Sequence, residues 1–163
     1  MSACAHEHHH DGLTGKALAS ELLAAERRCA EGDQRLTPPR RRVLEMLLGR
    51  GQPVKAYDLI SAYGEDGEPA KPPTVYRALD FLERQGLVHK IESLNAFVAC
   101  REGELAHTAA FLICDCCGRS EEVAPAGDTW LGAAAEQAGY SLSSVTVEAH
   151  GLCGNCRPER AGA

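Results

Sequence analysis

No apolar run in this sequence approaches the roughly 18 residues that a membrane-spanning helix needs, which excludes a helical membrane protein. The chain does not open with a basic segment leading into an apolar stretch, so a secretory signal is not expected. Its eight cysteines are therefore not read as the disulfide framework of a secreted domain. Lipidation and retention signals are also missing, and a cytoplasmic location is the remaining expectation. Net basicity is absent too, with a formal charge of −6. That balance is uneven along the chain: residues 1–92 hold 13 Lys/Arg against 14 Asp/Glu, and residues 93–163 hold 4 against 9. The cations that could meet phosphates lie in the first part, so overall acidity does not exclude a DNA-binding half.

The most informative residues present are two cysteine pairs, Cys114-x-x-Cys117 and Cys153-x-x-Cys156. That spacing lets four thiolates converge tetrahedrally on one zinc ion. The pairs are 35 residues apart, which places a strand at each and a helix between them, so the metal would staple a whole small domain. Cys116 adds a third thiol inside the first pair, His150 is expected to support the second pair rather than ligate, and Cys29 is expected in a helix core.

Apolar spacing organises the rest. Residues 1–15 mix Cys4, His6, His8, His9 and His10 with polar residues and show no periodicity, as expected of a mobile tail that is an auxiliary metal trap, a delivery site or simply solvated. Leu18, Leu22, Leu23 and Ala25 are spaced for one face of a first helix over 16–29. Thr37 as a side-chain cap, followed by Pro38, starts a second helix whose stripe is Val43, Leu44, Leu47 and Leu48, ending at Gly49. A short helix carries Tyr57, Leu59 and Ile60, and a longer one begins at Pro72-Pro73-Thr74, turns Val75, Leu79 and Leu82 inward and stops at Gly86. Residues 87–91 and 96–100, with Asn95 near the turn, alternate like a hairpin. Helices closed by such a hairpin predict a winged helix-turn-helix over 16–100, whose last helix enters the DNA major groove. A polar hinge at 101–108 leads to a small α/β domain over 109–163, with strands at 110–114, 122–123 and 143–149 and a helix at 128–138. The fold class expected is α+β.

Several segments resemble the ferric uptake regulator superfamily, in its zinc uptake regulator branch. They are Arg35-Leu36-Thr37-Pro38, Ala56-Tyr57-Asp58-Leu59, the run from Ala70 through Thr74-Val75-Tyr76-Arg77 to Leu82, Gly86-Leu87-Val88-His89-Lys90, and Glu148-Ala149-His150-Gly151-Leu152-Cys153. The resemblance covers residues 18–156. It implies a homodimer that binds double-stranded operator DNA when zinc is replete and represses zinc-acquisition genes. It also implies no enzymatic activity, no small-molecule substrate and two zinc ions per protomer. Cys114, Cys117, Cys153 and Cys156 would hold the structural ion, and His89, Cys100, His107 and Glu122 the regulatory one, with Glu121 as an alternative to Glu122. Iron-sensing relatives carry His-His-Asp-His before the first cysteine pair, where this chain has His107-Thr108-Ala109-Ala110-Phe111, and a thiolate ligand suits zinc better than ferrous iron.

Arg77 and Tyr57 are the candidate base contacts, because an arginine on a recognition helix can bind guanine O6/N7 bidentately and a tyrosine can pack on base edges. Tyr76, Thr74, Lys71 and Arg40 are candidate backbone contacts, with Arg41 and Arg42 beside Arg40 forming either a phosphate patch or a solvated face. Two alternatives stand beside repression by zinc. One is a redox or other-metal sensor of the same fold, with Cys116 beside Cys117 as its reactive thiol. The other is a zinc hydrolase using His89, Cys100 and His107 as ligands and Glu122 as base, against which a closed four-ligand site leaves no room for substrate.

Overall fold

Residues 12–64, 69–100, 109–123, 130–142 and 145–157 are described by the computed structural model of the chain. The tail up to residue 11 and the expected hinge at 101–108, with His107, lie outside the described residues, as do 124–129 and 143–144. The described residues divide between two compact units, one within 9–105 and the other within 106–163. The architecture is α+β.

The first unit has four helices and a hairpin: α1 Gly15–Glu31, α2 Pro38–Arg50, α3 Ala56–Ser61, α4 Pro72–Arg84, β1 Val88–Ile91 and β2 Ala96–Ala99. Prolines set two of the starts. Pro38-Pro39 and Pro72-Pro73 occupy the first two positions of α2 and α4, where a missing N–H costs nothing because those donors have no partner within the helix. This corrects the expected role of Thr37, which sits at the N-cap but makes no side-chain cap bond. Pro39 removes one of the two N–H groups a cap would serve, and the Thr37 carbonyl instead accepts from Arg41 N–H at 2.9 Å. Gly49 does not end α2; the helix runs on to Gly51, whose φ of 61° is the left-handed geometry of a C-cap and whose N–H returns to Leu47 O. Gly86, at φ 62°, turns the chain out of α4 as expected.

The apolar steps of these helices meet in one core that includes Leu22, Val43, Leu47, Leu59, Val75, Leu79, Leu82, Val88 and Phe97. Leu23 is the exception: it was expected on the buried face of α1 but is 54% exposed, and Cys29 completes the stripe instead. The period of 3.6 carries Leu22, Ala25 and Cys29 inward at steps of three and four and leaves Leu23 about 100° away. Burial pushes the Cys29 thiol up, in keeping with a core residue. β1 and β2 pair antiparallel with His89 opposite Val98, and Asn95 makes the turn at φ 46°. Val54 adds a one-residue bridge to Phe97, with both backbone bonds at 2.8 Å, so the hairpin is tied to the chain entering α3.

The second unit contains β3 Ala109–Cys114, β4 Ser120–Val123, α5 Trp130–Gln137 and β5 Thr146–Gly151, in the sheet order β4-β3-β5. β3 is antiparallel to β4 and parallel to β5, the parallel pair being joined through α5. Ala109, Phe111 and Ile113 are buried and Leu112 is 51% exposed, so one face of β3 is covered and the other open.

Leu82→Ala removes a fully buried side chain of α4 and should destabilise the first unit by about 2–5 kcal/mol, read as a lowered midpoint of its denaturant unfolding followed by far-UV circular dichroism.

Candidate metal centre and candidate reading face

The parallel pairing of β3 with β5 builds the cysteine site. Cys114 is the last residue of β3 and pairs with Gly151, the last of β5, so each strand runs out at the same end of the sheet and delivers its cysteine pair there. A tight turn after β3, closed by Gly118 N–H to Cys114 O at 2.9 Å with Gly118 at φ 72°, brings Cys117 back toward Cys114. The second turn is closed by Cys156 N–H to Cys153 O at 3.0 Å. One donor atom from each of Cys114, Cys117, Cys153 and Cys156 then lies within 4.8 Å of the other three.

The donor set fits zinc. The Cys117 and Cys153 sulfurs are 3.8 Å apart. That separation is an edge of the tetrahedron that four Zn–S bonds of about 2.3 Å generate, and is far from bonding distance for two sulfurs. The acid–base properties of the quartet point the same way. Cys153 N–H donates to Cys114 Sγ at 3.3 Å and, with the N–H groups of Cys117 and Cys116, lowers the Cys114 thiol to about 6. Burial pushes Cys117 up, and burial and then the neighbouring sulfurs push Cys156 up to about 12. One thiolate is stabilised and its neighbours resist ionising beside it, a conflict that a divalent cation resolves. Cys116 lies in the first turn but outside the quartet.

His150 is not among the clustered donors and supports them, as expected. Its Nδ1–H donates to Asp115 Oδ1 at 2.9 Å, and Asp115 N–H donates to Gly151 O at 2.8 Å, tying the first turn to β5. Sequence reasoning missed Asp115, because a partner 35 residues away leaves no local pattern. The pleat of the sheet puts Glu121 and Glu122 on opposite faces. Glu121 is opposite the exposed Leu112 and lies 3.6 Å from Arg119, whereas Glu122 is opposite the buried Phe111 and is itself half-buried. In the first unit, His89 and Cys100 share the face of the hairpin turned away from the core, with donor atoms within 4.8 Å of each other. His107 lies outside the described residues, as does His6-Glu7-His8-His9-His10. That string has the letters of the H-E-x-x-H zinc motif but no apolar period of the helix on which the motif depends.

The sequence-predicted DNA contacts divide into two groups. Tyr57 on α3 is 75% exposed, Tyr76 on α4 is 49% exposed, Arg77 is exposed beside it, and Lys71 and Thr74 stand at the start of the same helix. Arg40 makes contacts within the fold. Its guanidinium lies over the ring of Phe81, 3.4 Å from the centroid, and its Nη1 donates to Arg35 O at 2.6 Å. Arg41 pairs with Glu26 at 3.0 Å, and Arg42 reaches Tyr63 O and Glu45, both at 3.2 Å. Each arginine of the run is thus held by a neighbour within the fold while staying partly exposed.

A helical unit ending in a hairpin, followed by a three-stranded unit clipped by four cysteines, defines a two-part protein with a zinc-type metal centre. Residues 31–150 match the model of the ferric uptake regulator family. The chain is 45% identical over 144 residues to the zinc uptake regulation protein of Escherichia coli strain K12, spanning 86% of this chain and 84% of that one. Among solved structures it is similar to a zinc uptake regulator complexed with zinc and DNA, with a TM-score of 0.80, 42% identity, and 87% of this chain and 96% of the other covered. It is also similar to holo XcZur, with a TM-score of 0.72, 45% identity, and 84% and 96% covered. The chain belongs to the ferric uptake regulator family.

Cys153→Ser should remove one equivalent of chelator-resistant zinc per chain, measured by metal analysis after gel filtration, while Cys116→Ser leaves that equivalent in place.

Proposed function

We propose that this protein is a zinc-dependent transcriptional repressor that binds operator DNA as a homodimer when zinc is replete and represses zinc-uptake genes. The observation that carries this is the 0.80 TM-score at 42% identity with a regulator holding both zinc and DNA, together with the four-cysteine cluster of this chain. As a member of a family of regulators, the chain acts by binding and not by catalysis.

Residues 16–100 act as a winged helix-turn-helix. α4 is the reading helix: it buries Val75, Ala78, Leu79, Phe81 and Leu82 and leaves Tyr76 and Arg77 on its outer side. Arg77 and Tyr57 read bases, while Tyr76, Thr74 and Lys71 meet the backbone. Arg40 is left out of this set because its guanidinium is occupied on Phe81.

Two zinc ions bind per protomer. The cysteine quartet holds the structural one. His89, Cys100, His107 and Glu122 hold the regulatory one, a donor set of two imidazoles, a thiolate and a carboxylate that suits zinc. Support comes from the closeness of His89 and Cys100 on one hairpin face and from the half-buried position of Glu122 in its own sheet. Zinc bound there would link residues on both sides of 101–108 and so favour one DNA-competent arrangement. Shifting such an equilibrium from 1:99 to 99:1 takes ~5.5 kcal/mol of differential affinity, within reach of a four-ligand zinc site.

Residues 109–163 act as the dimerisation domain. Among the described residues β5 is an edge strand, and Leu112, Val147 and Ala149 expose an apolar patch beside Glu121 on the open face of its sheet. An edge of this kind invites pairing with a second copy.

The reading is tested with a duplex selected by the wild-type protein from a random pool, titrated across chelator-buffered zinc with zinc per chain measured on the same samples. Binding should fall as zinc drops from about two per chain to about one, with the dimer intact by light scattering. Undiminished binding at one zinc per chain would remove His89, Cys100, His107 and Glu122 as the switch. Arg77→Ala should narrow the gap between the selected duplex and its scrambled permutation by about 1–3 kcal/mol with zinc content unchanged.

A further inference from the structure

Three consecutive arginines within the first five residues of a helix are in an electrostatically poor place, since the N-terminal end of the helix dipole repels cations. Each of them is occupied by a different part of the first unit. Arg41 reaches Glu26 of α1, Arg42 reaches the backbone of Tyr63 just beyond α3, and Arg40 reaches Phe81 of α4. The Arg40 contact has the most specific geometry. Its guanidinium carbon is 3.4 Å from the Phe81 ring centroid, and the same group donates from Nη1 to the Arg35 carbonyl at 2.6 Å. Phe81 is 2% exposed, so its ring has no freedom to follow a displaced cation. It also stands four residues after Arg77, one helical turn along α4.

We propose that Arg40 is a positioning residue for sequence reading: stacked on Phe81, it sets the rotation of α4 about its axis and thereby aims Arg77 and Tyr76, and it does not itself contact phosphate. A planar guanidinium can stack on a ring and donate in its own plane at once, which an ammonium cannot. Lysine at position 40 therefore keeps the charge and loses the brace. The inference rests on the DNA-reading function proposed above.

The test compares wild type, Arg40→Lys, Arg40→Gln, Phe81→Leu and the Arg40→Lys/Phe81→Leu double variant. Binding to the selected duplex and to its scrambled permutation is measured over a salt series, with zinc content and thermal midpoint recorded. Arg40→Lys should retain the wild-type salt slope and zinc content but lose about five- to tenfold in the ratio of selected to scrambled affinity. Phe81→Leu should lose a similar amount, and the double variant no more than either alone. A salt slope smaller by about 0.9 per protomer in Arg40→Gln, with the ratio retained, would make Arg40 a phosphate contact and overturn the proposal. A lowered midpoint with wild-type ratio and slope in Arg40→Lys would reduce the contact to stability alone and overturn it too. Should Phe81→Leu fail to fold, Arg40→Lys decides by itself. Failure of the wild-type protein to discriminate the two duplexes would instead strike the DNA-reading function, and this inference with it.

Discussion

Convergence of four sulfurs at one end of a three-stranded sheet is the constraint on which the second unit depends. Among its described residues only Ala109, Phe111, Ile113 and Cys114 are buried, and one of those four belongs to the cysteine quartet. An ion held by the four cysteines would join the ends of β3 and β5 and favour the paired strands, because the cluster exists only when they are paired. The His150–Asp115 bond and the Cys153 N–H on Cys114 Sγ hold the two turns in the same relation from outside the quartet.

The first unit is built on the opposite principle. Its helices and hairpin share a continuous apolar core with no buried polar or charged side chain among the described residues. Polar side chains act at its periphery, where Arg40, Arg41 and Arg42 extend from one turn of α2 to three neighbours. A rigid base of this kind lets exposed residues such as Tyr57, Tyr76 and Arg77 be presented at fixed angles, which direct reading of base edges requires. α4 thus divides by face: its inner side goes to the core, and its outer side leaves Tyr76 and Arg77 exposed.

The pleat makes a similar division in the second unit. Along β3 and β4, adjacent residues face opposite ways, so Glu122 is grouped with Phe111 and Glu121 with Leu112. The carboxylate on the covered side is partly removed from water, while its neighbour makes a screened ion pair with Arg119. The exposed side carries Leu112, Val147 and Ala149 next to β5, the edge strand among the described residues.

Much of this was legible in order along the chain. The steps of Val75, Leu79 and Leu82, the paired prolines before α2 and α4, the alternation around Asn95 and the two C-x-x-C pairs are local signals, each complete within a turn or two of backbone. They determine the elements, the division into a helical part and a zinc-type part, and the donors of the cysteine site. Leu23 and Gly49 were misread because local spacing does not say which of two adjacent residues meets the core, or where a helix ends when two glycines offer a stop. Only the tertiary structure decided the partners of the arginine run, the side of the sheet taken by Glu122 and the link between His150 and Asp115. Those depend on strand register and helix packing between residues tens of positions apart, and charge and hydrogen-bonding groups, unlike apolar periodicity, leave no trace along the chain of whom they will meet.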